Sequence, residues 1–309
     1  MASSLGTTER AHSGRRSERF ALGFVLTVAP GALWIILFLL APSILVIAMA
    51  FLSNGDYGSP HLPMTLDAFR RVLGFSVLGW SNGNLKTLWR SLVQSATAAV
   101  ATILVAYPLA FFIVSRRSYL RPLLLLMVIL PSWTNQVIRT YAWMELLAPD
   151  TSLSHLAQES GLIAPHMGLF PSDFAIFLGL IYNYLPYMVL PLYAAVEKLD
   201  WTIVEVGRDL YASGYRLFWH TVFPQTLPGL LAGIILVAIP AFGDFVVPQL
   251  LGGNKFLMLG NLIANQFTST PDWPYGAALA LVMLCFTFAG LFVFRRVARR
   301  LGRGEGQIL

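Results

Sequence analysis

Asp244 is the one charged side chain in residues 227–251, a run that is otherwise almost wholly apolar. Placing a charged side chain at a bilayer centre costs about 2.5–3.5 kcal/mol on insertion scales, so such a residue marks an ion or solute path by default. A cation that sheds its water needs carboxylates and aromatic faces in exchange. Trp133, Tyr141 and Trp143, with Glu145 close by, lie in another apolar run and could supply those faces. A second use of Asp244 is equally simple. Arg139 also falls in the outer half of a span, and the two charges could neutralise each other. No catalytic or metal-ligating set is expected.

The second concentration of polar chemistry is residues 205–228, between two apolar runs. Thr202 and Glu205 have capping-box spacing, so a helix is expected to start near Thr202. Ile203, Gly207, Leu210 and Gly214 fall along one face; Glu205, Arg208 and Asp209 fall on another. Ser213-Gly214 gives a break, and a second short helix is expected over 215–223, ended by Pro224. Tyr211, Phe218, Trp219 and Phe223 supply apolar bulk. The bland readings are a cap for Glu205 and an interfacial aromatic belt for the rings. The functional reading is an apolar knob rimmed by charge, the shape a groove on a soluble partner accepts.

These residues must be positioned by membrane-spanning helices. The chain is 56% hydrophobic and 12% charged over 309 residues, about half the charge of a soluble domain. Charge-free stretches cover 20–55, 91–115, 122–138, 174–196, 227–243 and 273–294, the third resuming after Arg139 and the fifth after Asp244. Each can supply the roughly 20 residues of a spanning helix. Helices satisfy their own backbone in lipid, and runs this long do not suit barrel strands. Arg15, Arg16 and Arg19 precede the first run, but it is longer than the roughly 7–15 residues of a signal core, so it is read as a retained helix. The single cysteine, Cys285, excludes a disulfide framework and reads as a small buried hydrophobe.

Orientation follows from the cations. With the N-terminus inside, fifteen Lys and Arg fall on inner segments and six on outer ones. This positive-inside bias accounts for the net charge of +6 and removes the case for a nucleic-acid partner. Both termini are then cytoplasmic in an all-α protein of six transmembrane helices. Outer loops are expected over 53–84, 149–172 and 251–272, with a capped amphipathic helix over 65–73. The domain reading is a cytoplasmic tail over 1–19, a first helix and periplasmic loop over 20–84, a five-helix domain over 85–294 with its inner loop at 198–227, and a cytoplasmic tail over 295–309.

The inner loop resembles the cytoplasmic loop of ABC importer permeases, Glu-Ala-Ala, three residues, Gly, nine residues, then Ile-x-Leu-Pro. Glu205 and Pro224 stand at its two ends at the right separation, and Arg208, Asp209, Ala212 and Ser213 are similar to what such loops carry between them. Five positions differ: Val206 and Gly207 replace the alanines, Tyr211 replaces the glycine, and Thr221 and Phe223 replace Ile and Leu. Gly214 then stands in for the flexible turn. The run 130–143, the pair Leu190-Pro191-Leu192-Tyr193 and Glu197-Lys198-Leu199-Asp200, the run 240–253 and the run 272–278 are similar, in order, to polyamine permeases of the spermidine/putrescine type.

That resemblance implies a type I ABC importer permease fold in the cell inner membrane. It also implies two copies of an ATP-binding subunit on the inner loops, a second homologous permease and a periplasmic solute-binding protein. The ATPase-coupling loop would comprise Glu205, Gly207, Arg208, Asp209, Ala212, Ser213, Gly214 and Pro224. No cofactor is expected on this chain: it has no Gly-x-x-x-x-Gly-Lys-Ser/Thr cradle for ATP phosphates, so ATP belongs to the partner. A secondary carrier or channel for small cations is the alternative, and it would need no docking loop. Phe242-Gly243-Asp244-Phe245 also partly resembles the Gly-x-Gly-Asp of intramembrane aspartyl proteases. That chemistry needs two aspartates, and Asp173 and Asp272 fall only at span edges. No enzyme is expected.

Overall fold

A computed structural model describes residues 28–76, 79–164, 167–209 and 213–303. The expectations for residues 1–27, including Arg10, Arg15, Arg16 and Arg19, and those for Leu210, Tyr211, Ala212 and 304–309, lie outside the described residues.

Among the described residues five helices are long and apolar enough to cross a membrane, and a bent pair makes a sixth crossing if it is one span. They are α1 (Val28–Ala50), α3 (Gly83–Val114), the pair α4 (Arg121–Trp133) and α5 (Gln136–Leu146), α7 (Asp173–Glu197), α9 (Gly214–Gly243) and α12 (Trp273–Arg303). The short outer helices are α2 (Asp67–Val72), α6 (Ser152–Glu159), α10 (Val246–Leu251) and α11 (Leu259–Thr268). The inner loop holds α8 (Trp201–Asp209). Among the described residues two small antiparallel ribbons, Leu52–Asn54 with Pro60–Met64 and Phe75–Ser76 with Gly79–Trp80, depart from an all-α plan.

The bundle core is α3, α7 and α9, which share the most extensive helix contacts. At 32 residues α3 runs about 48 Å, longer than the roughly 30 Å hydrocarbon layer. Its buried face carries Ser91, Ser95, Ala98, Ala99, Thr102, Ala106 and Ala110. Small side chains let neighbouring backbones approach where lipid offers no hydrophobic drive. Thr102 Oγ1 returns a hydrogen bond to Ala98 O at 2.6 Å, so its hydroxyl is satisfied inside the bundle. α7 starts where Ser172 caps it, accepting from Ala175 N at 3.0 Å. It buries Ile176, Leu180, Met188, Leu192 and Val196.

Helix α1 lies outside this core and rests on α12. Its side chains are almost all exposed, as a helix facing lipid requires. Cys285 is exposed on α12. The expectation of a buried thiol is overturned because the buried positions of α12 lie nearer its outer end, at Ala277, Ala278 and Leu279.

The amphipathic outer helix forms as α2, but its cap does not. Leu66 stands at the cap position, and the Thr65 hydroxyl is buried without a hydrogen-bond partner among the described residues. Tertiary contacts hold α2 instead. Arg71 pairs with Asp272, lies over the Tyr275 ring at 4.5 Å, and Asn84 Nδ2 donates to Arg71 O at 2.7 Å. This knot ties the outer loop of the first hairpin to the start of α12. With both termini inside, a reporter fused after Arg303 should read as cytoplasmic and one near Gly161 as periplasmic. Opposite labelling would overturn the orientation.

Candidate functional site

The third apolar run does not cross as one straight helix. α4 and α5 meet at 89° over a break at 134–135. Pro131 sits in a tight turn at the end of α4, and Asn135 caps α5, its Oδ1 accepting from Val137 N at 2.8 Å. A second break faces this one. Helix α9 stops at Gly243, Asp244 takes an extended backbone, and α10 starts two residues later. Asp244 is therefore not a mid-helix residue, as the continuous apolar pattern had implied. Its Oδ1 accepts from Val246 N at 2.9 Å and Val247 N at 3.1 Å, satisfying two orphan donors of α10.

The other oxygen of Asp244 points at side chains. Oδ2 accepts from Gln136 Nε2 at 3.1 Å and from Tyr184 Oη at 3.0 Å. Gln136 comes from the first turn of α5 and Tyr184 from the middle of α7, so the carboxylate joins three elements. Asp244 is only 6% exposed. A buried carboxylate with four donors is well satisfied and held in one rotamer. Its backbone is held too: a Cβ on Gly260 would lie 2.6 Å from the carbonyl oxygens of Gly243 and Asp244, so α11 backs directly onto the break.

Arg139 does not neutralise Asp244. Its Nε and Nη1 are buried without hydrogen-bond partners among the described residues, and its guanidinium lies 6.0 Å from the Tyr182 ring centre. The proposed pair fails because α5 offers its first-turn Gln136 to Asp244 and places Arg139 beside Tyr182. The four other candidates are not gathered around the carboxylate by hydrogen bonds. Trp133 is 74% exposed at the break, and Tyr141 and Glu145 are exposed on α5. Trp143 packs edge-on against Tyr182 with ring centres 5.4 Å apart. Sequence reasoning missed Gln136 and Tyr184. Both are neutral residues in apolar runs, where a carboxylate needs donors, but nothing in one sequence selects them.

On the inner side, α8 and the first turns of α9 form a helical hairpin. Asp200 caps α8, accepting from Thr202 N at 3.0 Å. The cap is two residues earlier than expected, and Glu205 is released from a capping role. Val204 and Leu217 are buried against each other's helices, whereas Ile203 is 50% exposed. The inner face of α8 therefore runs through Val204 in place of Ile203 and keeps Gly207 of the expected stripe. Gly207 lies on it: a Cβ there would meet Leu217 Cδ1 at 2.5 Å, so the missing side chain permits the close crossing.

Ser213 caps the second leg, its Oγ accepting from Arg216 N at 3.4 Å. Gly214 is its first helical residue, has no left-handed φ, and faces open space. It is not the flexible turn. Pro224 does not end the leg either. The helix widens to a π turn over Phe218–Val222, where Phe223 N bonds to Phe218 O, and runs on through Pro224 into the span. A wide turn accommodates a ring that would clash with an ordinary i−4 carbonyl. Glu205, Arg208, Asp209 and Arg216 are exposed, with Trp201, Val206 and Tyr215 among them. Among the described residues Glu205, Arg208 and Asp209 have no ion-pair partner.

A helical membrane bundle with a polar helix break across its core and an exposed, charged hairpin on its inner side is the architecture of a membrane transport subunit. The chain belongs to the family of binding-protein-dependent transport system inner membrane components, which matches residues 103–303. It is 35% identical over 278 residues to the spermidine/putrescine transport system permease protein PotB of Haemophilus influenzae, covering 90% of this chain and 95% of that protein. It is also 35% identical over 270 residues to PotB of Escherichia coli, covering 87% and 96%. Among solved structures it is similar to a chain of a bacterial alginate ABC transporter complexed with its alginate-loaded periplasmic protein, at TM-score 0.71 and 14% identity, over 93% of this chain and 97% of that one. A chain of the inward-facing MetNI methionine ABC transporter aligns at TM-score 0.54 and 13% identity, over 70% and 95%. The fold is that of type I ABC importer permeases, and the chain is a multi-pass inner-membrane permease subunit, not an enzyme.

Proposed function

We propose that this chain forms half of the translocation pathway of an ATP-driven importer for putrescine, spermidine or a similar small cationic solute. The observation that carries the solute class is Asp244, a buried carboxylate held between two helix breaks and hydrogen-bonded to Gln136 and Tyr184. The names of the relatives support the same class. An ammonium group arriving at the break can replace the Gln136 and Tyr184 donors on Oδ2, while the α10 cap keeps Oδ1 fixed. Trp133, Tyr141, Trp143 and Glu145 belong to the wider path, as flanking faces rather than direct partners of Asp244.

The hairpin docks on the ATP-binding subunit, present in two copies, with Glu205, Arg208 and Asp209 as its charged rim and Gly207, Ser213 and Pro224 shaping it; Ala212 and Gly214 belong to the same loop. ATP is bound by that partner. A second homologous permease completes the pathway, and a periplasmic binding protein delivers solute. The five-helix unit over 85–294 is the transporting domain, preceded in the chain by the first helix and periplasmic loop of 20–84. Proteoliposomes containing the assembled complex should take up labelled putrescine or spermidine only when binding protein and internal ATP are both supplied. Uptake that persists without the ATP-binding subunit, driven by an ion gradient, would overturn this reading in favour of a secondary carrier.

A further inference from the structure

Given Asp244 as the solute carboxylate, we propose that Tyr187 is a second cation subsite, one helical turn further inward on α7. It holds the other ammonium group of a diamine or polyamine. Asp244 can neutralise one ammonium group. A diamine brings a second into the same poorly solvated path, where an unpaired charge is costly. Tyr184, which donates to Asp244 Oδ2 at 3.0 Å, has its ring centre 6.1 Å from that of Tyr187. Three residues of helix rise about 4.5 Å, a separation the carbon chain of putrescine can span.

Tyr187 offers two acceptors. Its side chain is 48% exposed, and among the described residues no cation lies over its ring. Its carbonyl stands four residues before Pro191, inside α7. A proline there has no N–H to donate, and its ring crowds that carbonyl, so the oxygen loses its usual helical partner. A ring face and such a carbonyl can replace the water of an ammonium group. Their hold is weaker than a carboxylate's, which suits a group that must leave again. The outward direction is closed to the second ammonium. Arg139 lies 6.0 Å from the Tyr182 ring centre, on the outward side of Tyr184, and repels another cation there. Exposed rings also flank the carboxylate itself, with Phe245 next to it in the chain and Trp133 at the facing break.

The test is the initial rate of putrescine uptake by proteoliposomes carrying the assembled complex, internal ATP and saturating putrescine-loaded binding protein. Tyr187→Leu should lower that rate about five- to thirtyfold, the range of a partly to fully desolvated cation–π contact. Tyr187→Phe and Tyr187→Trp keep the ring face and should retain uptake. An equal loss in Tyr187→Leu and Tyr187→Phe, or none in Tyr187→Leu, would overturn the subsite. A second measurement reads occupancy without turnover. Leu190→Cys in a Cys285→Ser background places a thiol one more turn inward, at an exposed position. Putrescine should slow its reaction with a small thiol reagent, and adding Tyr187→Leu should remove that protection. Protection that survives Tyr187→Leu, or no protection at all, would count equally against the subsite. Asp244→Asn separates the two readings. Impaired uptake in that variant with normal uptake in Tyr187→Leu removes the second subsite alone. Normal uptake in both removes the solute role of Asp244 as well.

Discussion

Asp244→Asn should lower uptake of putrescine or spermidine by about tenfold or more while leaving the complex assembled. The variant keeps an acceptor oxygen for Val246 N and Val247 N, so the α10 cap survives. It removes the charge, and a hydrogen bond to a charged group contributes about 1.5–3 kcal/mol, or roughly 10–150-fold. Asp244→Ala should behave differently. It takes away the cap, which contributes about 1 kcal/mol. It also leaves the Tyr184 hydroxyl and the Gln136 amide without their acceptor, at about 1–3 kcal/mol. The alanine variant should therefore lose assembly as well as uptake, read by yield of the intact complex. Wild-type uptake by a well-assembled asparagine variant would reduce Asp244 to a helix cap. Adding Arg139→Gln should rescue neither variant, because Arg139 lies against Tyr182 rather than on the carboxylate.

Glu205→Lys should reduce ATP-driven uptake by about 30-fold or more and release the ATP-binding subunit during purification. Glu205 is exposed and has no ion-pair partner among the described residues, so reversing its charge leaves this chain's own packing intact. Loss of one member of a desolvated charge pair across an interface costs about 2–5 kcal/mol. Gly214→Pro is the matched control inside the hairpin: position 214 faces open space and proline suits a first helical position, so this variant should transport nearly normally. Normal co-purification and uptake in Glu205→Lys would place the docking surface elsewhere.

The contrast among these variants reflects what one sequence can carry. Hydropathy fixed the spans, because a helix in lipid must present about 20 apolar residues whatever its neighbours are. The cation distribution gave the orientation, because it reports each segment's side of the membrane directly. The polar stretch at 205–228 exposed the hairpin, since such residues need water or a partner. Three-dimensional packing alone decided the rest. Two apolar runs broke, at 134–135 and at Asp244, though their composition allowed continuous helices. The first break follows Pro131, and the second follows from Asp244 itself becoming a cap. Pro224, which looked like a stop, follows a π turn whose wider bonding leaves room for its ring, and Phe218 of that turn packs on Tyr107 of α3. Gln136 and Tyr184 became partners of one carboxylate because α5, α7 and α10 converge, and hydrogen bonding across elements leaves no periodic trace in the chain.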